Sequence, residues 1–144
     1  MFELPRVMTI AGAASGGSAG IQADLKTFQE LDVYGMSVIT AIVGRHPTTN
    51  KNVHEMPIEA IEAQFATAKR QIGIDALKTG MLFSTEIIER VSQLIHDAGT
   101  KHVVVDPVMV VKLDSKLLAD DAIEMLRERL IPLATIITPN MPEA

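Results

Sequence analysis

The chain has 144 residues, 47% of them hydrophobic, with a formal net charge of −5 at pH 7 and no cysteine; this is enough sequence for one domain with a substantial core. Net negative charge and few aromatic side chains, four Phe and one Tyr, argue against a nucleic-acid partner. The lack of cysteine excludes disulfides and thiolate chemistry, and the longest uncharged apolar stretch, 34–44, is far shorter than the roughly 20 residues of a membrane helix. We therefore expect a cytoplasmic protein with neither a nucleic-acid nor a membrane partner.

Along the chain, short aliphatic runs alternate with longer stretches in which apolar residues recur with the period of a helix. The first run, 6–11, enters a glycine-rich loop at 12–20, which predicts a strand followed by a tight turn. Apolar residues then recur at spacings of three and four up to Leu31, which predicts an amphipathic helix. The β-branched run 35–43 predicts a second, buried strand.

The middle of the chain begins with a polar stretch. Residues 44–56, rich in Thr, Asn and His, predict a long loop or flap. A helix is predicted from Pro57 to about Ile72, because proline is tolerated in a first helical turn. A third strand is predicted over 75–82, followed by a helix that Ser84 begins and Gly99 ends.

The last third of the chain repeats the alternation. A strand is predicted over 102–108, a helix over 117–130 and a fifth strand over 134–138. Strands that are nearly continuous in aliphatic residues are typical of sheets buried on both faces by crossover helices, and such crossovers make a sheet parallel. The sequence therefore predicts an α/β fold, a parallel sheet of about five strands flanked by four helices.

Ligands of an open parallel sheet bind beyond the carboxyl ends of its strands. That rule nominates the loops after the predicted strands, which are 12–20, 44–46, 80–81, 106–109 and 140–143. The glycine-rich loop could hold an anion on its backbone N–H groups, or it could be a tight turn that permits close packing. Its spacing matches neither the P-loop nor the dinucleotide-binding pattern.

Four polar residues are candidates for chemistry at this edge. Asp106, between an aliphatic run and a proline, could hold Mg²⁺ or orient a phosphate, or it could cap its own turn. Asn140 and Glu143 could hold a hydrated metal ion or form a helix cap. Asp24 could face the rim from the first helix, or it could be an exposed helical carboxylate.

Several blocks of the sequence match a known family pattern. They are TIAGAASGGSAGIQADLKTFQEL (9–31), YGMSVITAIV (34–43), DALKTGML (75–82), VVVDPVM (103–109) and LIPLATIITPN (130–140). On these blocks the chain resembles the bacterial phosphomethylpyrimidine kinases and the closely similar pyridoxal kinases, which share the ribokinase-like fold. The resemblance implies ATP-dependent phosphorylation of a hydroxymethyl group on a six-membered nitrogen heterocycle, with Mg²⁺.

The resemblance also implies a ring pocket. Gly12, Asp24 and Met81 would surround the ring, and Asp24 would accept hydrogen bonds from its amino or N–H groups. Val43 and Arg45 would line the same pocket. Arg45 departs from the Gln, Glu or Met usual in relatives, and a cation there would change how the ring is recognised.

On the phosphate side, the resemblance implies Asp106, Asn140 and Glu143, with Mg²⁺ held by Asp106 and Glu143 through water. Lys112 would lie in a flap over the nucleotide. The family's later glycine-rich segment, which forms the anion hole and supplies the catalytic base, has no counterpart before Ala144, so we expect the catalytic residues to lie beyond it. We therefore expect residues 1–144 to be the N-terminal portion of one ribokinase-like kinase domain, without its C-terminal half.

The expected function is phosphorylation of hydroxymethylpyrimidine and its monophosphate in thiamine biosynthesis. Two alternatives stay open: a pyridoxal or pyridoxine kinase of vitamin B6 salvage, and a truncated, non-catalytic remnant that binds a ring ligand or a partner. The loop 46–57 is closer to the pyridoxal branch, whereas 140–144 is closer to the pyrimidine branch. Because the last predicted strand would present an unpaired apolar edge, we also expect a homo-oligomer.

Overall fold

The computed structural model describes residues 4–44, 46–48, 52–111, 115–116 and 119–144. The strands are β1 (Arg6–Ala14), β2 (Tyr34–Val43), β3 (Val53–Glu55), β4 (Ala76–Thr79), β5 (His102–Val105), β6 (Val110–Val111), β7 (Ser115–Lys116) and β8 (Ile136–Ile137). The helices are α1 (Gly20–Glu30), α2 (Ile58–Gln71), α3 (Thr85–Ala98) and α4 (Asp120–Met125). A π-helical turn (Leu126–Leu130) and a 3-10 turn (Ile131–Leu133) extend α4.

In these described ranges, the main sheet has six strands in the order β3-β2-β1-β4-β5-β8. All neighbouring pairs are parallel except β2 and β3, which are antiparallel. The predicted α/β class with five parallel strands and four helices is therefore confirmed. Its topology brings the carboxyl ends of β1, β2, β4 and β5 to one edge, as the crossover rule requires.

Some predicted boundaries are wrong, each for a tertiary reason. The stretch 44–56, predicted as a loop, contains β3, because its backbone pairs with the free edge of β2. Such edge pairing leaves no signal in polar side chains. The first strand continues past residue 11 to Ala14, through a register shift between Ala11 and Ala13. A two-stranded ladder of β6 and β7, which no sequence pattern indicated, follows β5.

The sheet separates a large core from a small one, because side chains of a strand alternate between its faces. On one face, α2, α3 and α4 bury the large core, whose members include Met8, Ile10, Val38, Ile61, Phe65, Leu77, Ile88, Val91, Val103, Val105, Leu126 and Leu130. On the other face, Ile21 of α1 packs on Ala11 and Ala13 of β1. Small side chains on this face let α1 approach the sheet closely, beside the edge where the strands end.

The outer strand β8 is short and open. Ile136 and Ile137 are 56% and 46% exposed, although each pairs through its backbone with β5. In the described ranges, no helix combines the length and the apolar character that crossing a membrane requires.

Candidate active site

A cavity of about 270 Å³ lies at the carboxyl ends of β1, β2 and β4, next to the loop that follows β5. Much of its wall is small or apolar, including Ala11, Val43 and Val108. Among the described lining residues, Lys78 and Asp106 are the charged ones. The cavity thus combines an apolar wall with two opposite charges, and such a combination of apolar lining and few polar groups is typical of small-molecule sites.

Glycines in the predicted loop shape this cavity. Gly12 occupies the register shift of β1, where a Cβ would lie 2.5 Å from the Met81 Cε atom. Gly20 has a φ of +64°, and a Cβ there would overlap the Gly12 carbonyl group. The close approach of β1 to the start of α1 therefore requires glycine at position 20, whereas a Cβ at position 12 would displace the flexible end of the Met81 side chain. Of the two alternatives for the loop, close packing accounts for Gly20.

Met81 is held in place through its backbone. The buried Thr40 hydroxyl donates a hydrogen bond to the Met81 carbonyl oxygen over 2.7 Å. Gly12, Val43 and Met81, which come from three separate segments, all line the cavity. The rule that ligands bind at the carboxyl ends of strands nominated Gly12 and Met81, and the family resemblance implied Val43; the fold brings all three to one cavity.

Asp24 lies beside the cavity instead of in its lining. Its Oδ2 atom accepts hydrogen bonds from the Thr9 hydroxyl over 2.6 Å and from the Lys78 ammonium over 3.0 Å. The side chains of Asp24 and Lys78 are only 18% and 22% exposed. Lys78 Nζ also lies 3.9 Å from Asp106 Oδ2. One lysine therefore stands between two carboxylates and lines the cavity, while Asp24 supports it from α1.

Lys78 was missed by the sequence reasoning, although it lies within the block DALKTGML. Its neighbours Leu77 and Thr79 are buried, with exposures of 1% and 0%. A lysine between two core positions of a short strand is the signal that could have found it, because lysine is almost never buried without a partner.

Asp106 occupies a partly buried position after β5, and its backbone N–H donates to the Thr79 carbonyl oxygen over 3.0 Å. Burial raises the pKa of the Asp106 carboxyl group, the nearby Lys78 charge opposes that rise, and the charges of Glu143 and Asp24 add to it. A carboxylate in such surroundings gains from a cation brought close to it, since an opposite charge favours its ionised form. This electrostatic setting fits a site for a divalent cation.

Asn140 and Glu143 form a reciprocal cap. Glu143 Oε2 accepts the Asn140 N–H over 3.0 Å, and Asn140 Oδ1 accepts the Glu143 N–H over 3.1 Å. Glu143 Oε1 accepts the Met109 N–H over 3.0 Å, which ties the turn at 140–143 to the loop after β5. Of the two alternatives for this pair, the cap is present in the structure. A carboxylate with one bond on each oxygen keeps lone pairs for a water molecule.

Two of the predicted site residues remain, one at the ring pocket and one at the nucleotide flap. Arg45 and Lys112 lie outside the described residues, so their assignments to the ring pocket and to the nucleotide flap stay predictions. Across the ranges that are described, no group of three or more His, Asp or Glu side chains is arranged to hold a metal ion. Any Mg²⁺ at Asp106 would therefore need ligands other than a protein cage.

Known proteins resemble the chain over nearly its full length. The phosphomethylpyrimidine kinase family model matches residues 14–144. A hydroxymethylpyrimidine/phosphomethylpyrimidine kinase of Bacillus subtilis (strain 168) is 47% identical over 143 residues, which cover 99% of this chain and 53% of that protein. A pyridoxine kinase of the same strain is 50% identical over 145 residues, covering 99% of this chain and 54% of that protein.

A solved structure of a similar kinase shares the fold of the chain. The ADP complex of Bacillus subtilis pyridoxal kinase superimposes with a TM-score of 0.89 at 48% sequence identity, covering 98% of this chain and 54% of that one. This match confirms the predicted ribokinase-like fold class. The chain spans about half the length of the curated relatives that it matches. On the family model, the sequence identities and the shared fold, the chain belongs to the phosphomethylpyrimidine kinase family.

Proposed function

We propose that the chain contributes the ring-binding cavity of a kinase that transfers a phosphoryl group from ATP to hydroxymethylpyrimidine and to its monophosphate, in thiamine biosynthesis. The observation that carries this proposal is the small, mostly apolar cavity with the Asp106 carboxylate at its border. Apolar walls suit the faces of a six-membered heterocycle, and a carboxylate suits the cation that accompanies phosphates. A cytoplasmic location belongs to the proposal, since ATP is the donor.

In this proposal the ring packs against Gly12, Val43 and Met81. Asp24 acts at the ring side, from the position beside Lys78 that its hydrogen bonds define. Arg45 follows Val43 and Gly44 in the chain and would present a cation to the ring.

On the phosphate side, Asp106 would hold Mg²⁺ together with Glu143, in both cases through water. Mg²⁺ in phosphate sites keeps several waters and uses one or two carboxylates plus the phosphates, so the lack of a protein cage among the described residues fits this ion. When bound, the ion neutralises charge on the transferred phosphoryl group. Lys112 and Asn140 would lie on the nucleotide side, and the ADP in the related pyridoxal kinase supports a nucleotide there.

A second candidate is phosphorylation of pyridoxine or pyridoxal. It is favoured by a pyridoxine kinase with 50% identity, against 47% for the pyrimidine kinase of the same strain. The difference between these two sequence identities is too small to distinguish the two substrates, since both carry the hydroxymethyl group that is phosphorylated.

The test is a phosphorylation assay of the chain with ATP and Mg²⁺ against hydroxymethylpyrimidine, its monophosphate and pyridoxal, read by ³¹P NMR, with calorimetric titration of each ring. Faster turnover of the pyrimidines supports the proposal, and faster turnover of pyridoxal selects the second candidate. Ring binding without turnover would restrict the chain to a binding role. Failure to bind any of the rings would overturn the proposal.

A further inference from the structure

Among the described residues that line the cavity, Lys78 is the one with a positive charge. Its ammonium group also has hydrogen-bond donors that remain available to a ligand. A lysine ammonium group carries three N–H donors and no acceptor. One of them bonds to Asp24 Oδ2 over 3.0 Å. Asp106 Oδ2, at 3.9 Å, is too far for a hydrogen bond. The ammonium thus retains donors that no described protein atom satisfies.

Asp24 holds the Lys78 ammonium group in position. Asp24 Oδ2, which accepts the Lys78 bond, also accepts the buried Thr9 hydroxyl over 2.6 Å. Two donors on one oxygen restrict the rotation of the carboxylate, and the carboxylate in turn restricts the lysine. Lys78 is 22% exposed and lines the cavity.

The charged groups of the cavity wall lie close together. Lys78 Nζ and Asp106 Oδ2 are 3.9 Å apart, and the other described lining residues, such as Val43 and Met81, are small or apolar. A ring alcohol has the same asymmetry, with two apolar faces and one hydroxymethyl arm. Because a buried hydroxyl group costs free energy unless it is hydrogen-bonded, the favourable orientation directs the hydroxymethyl arm to the charged end.

We propose that Lys78 contacts the substrate directly: its ammonium group, held by Asp24, donates a hydrogen bond to the hydroxymethyl oxygen of the bound ring alcohol. This inference rests on the proposed function, because it requires a ring alcohol in the cavity. It assigns Asp24 a positioning role through Lys78 and makes Lys78 a determinant of specificity for the hydroxymethyl group.

The test compares two ligands on two variants by calorimetric titration. The ligands are hydroxymethylpyrimidine and its analogue with a methyl group in place of the hydroxymethyl group. A hydrogen bond to a charged group corresponds to about a tenfold to hundredfold difference in affinity, so we expect the wild-type chain to prefer the alcohol by at least about tenfold. Lys78→Met should abolish most of this preference, whereas Lys69→Met, on the exposed side of α2, should retain it.

Two further variants distinguish the loss of the hydrogen bond to the ligand from a loss of folding stability. Lys78→Met leaves the Asp24 charge without its cation, so the double variant Lys78→Met with Asp24→Asn removes both charges together. We expect the double variant to melt close to the wild-type temperature and still to lack the preference for the alcohol. Lys78→Arg, which keeps a cation and its donors, should regain part of the preference, and a purely structural role for Lys78 would not produce that pattern.

Each alternative outcome identifies the statement that fails. If the wild-type chain binds the alcohol and Lys78→Met or the folded double variant keeps the full preference, the contact with Lys78 is refuted while the proposed function stands. If the substitution weakens both ligands equally, Lys78 shapes the cavity and does not bind the hydroxymethyl group, which also refutes the inference. If the wild-type chain binds neither ligand, the proposed function fails and the inference fails with it.

Discussion

Replacement of Gly12 by alanine tests whether the cavity holds the ring. The added Cβ would lie 2.5 Å from Met81 Cε and 3.6 Å from the Ala41 carbonyl oxygen. Carbon atoms pack best about 3.5 to 4.0 Å apart, so the Met81 methyl group must retreat by about 1 Å or more. Methionine bends easily, and an off-rotamer torsion costs about 0.5 to 1.5 kcal/mol. We therefore expect the free energy of unfolding to fall by about 1 kcal/mol.

The effect on binding should be larger than the effect on folding. The new methyl group and the displaced Met81 side chain both occupy a cavity of about 270 Å³, and overpacking a filled site costs about 1 to 3 kcal/mol. We expect the affinity of Gly12→Ala for hydroxymethylpyrimidine to fall at least about tenfold, which equals about 1.4 kcal/mol. Calorimetric titration and urea unfolding measure the two quantities.

A matched control is available in the same loop. A Cβ at Gly16 would meet nothing within 4 Å, so Gly16→Ala should change neither affinity nor stability. Adding Met81→Ala to Gly12→Ala removes the overlap and should restore stability to the Gly12→Ala protein. Wild-type ring affinity in the Gly12→Ala protein would refute the location of the ring next to Gly12.

Three other predictions concern the surroundings of the site. Hydrogen bonds from the side chain and the backbone N–H of Arg6 lower the pKa of Asp75 to about 2, so Arg6→Met, which removes only the side-chain bonds, should raise this pKa in an NMR titration toward the usual value of about 3.9. A depressed carboxyl pKa contributes stability that is lost as pH falls through the folded-state value. The wild-type advantage in melting temperature should therefore shrink between about pH 4 and pH 2, and a constant difference would contradict this. Since burial raises the pKa of Asp106, Asp106→Asn should melt at an equal or higher temperature at pH 7 but bind Mg²⁺ more weakly, and a marked loss of stability would speak against that role. Self-association through the open β8 edge should appear in light scattering and weaken in the variant with Ile136→Lys and Ile137→Lys, whereas a monodisperse wild-type monomer would rule it out.

The order and type of the main elements could be predicted from the sequence because they depend on hydrophobic period. The strands β1, β2 and β5 consist mostly of apolar residues, and Gly99, with a φ of +65°, ends α3 as predicted. The strand β3 could not be predicted, since its pairing depends on the free edge of β2 and not on its own side chains. The predicted strand 102–108 ends at Val105, because Pro107, which has no backbone N–H, cannot continue the ladder after the Asp106 N–H bonds to Thr79.

The site could be predicted in part. The carboxyl-end rule nominated Gly12, Met81 and Asp106 from positions that lie far apart in the sequence, and the parallel topology brings them to one cavity. The contact between Asp24 and Lys78 joins residues 54 positions apart, so no local pattern carries it. Sequence spacing locates a carboxylate on a helix, but only the packing of α1 on the sheet determines which cation it meets.

The central claim is that the ring alcohol binds at the carboxyl ends of β1, β2 and β4. The most direct measurement is a titration of the ¹⁵N-labelled chain with hydroxymethylpyrimidine, followed through backbone amide chemical shifts. We predict saturable shifts at Gly12, Val43, Lys78 and Met81, with no comparable changes in the helices of the opposite face. A second groove lies between α3 and the turn at 131–133, where Ser92, His96 and Pro132 line it. Shifts confined to that groove, or no saturable shifts at all, would contradict the account.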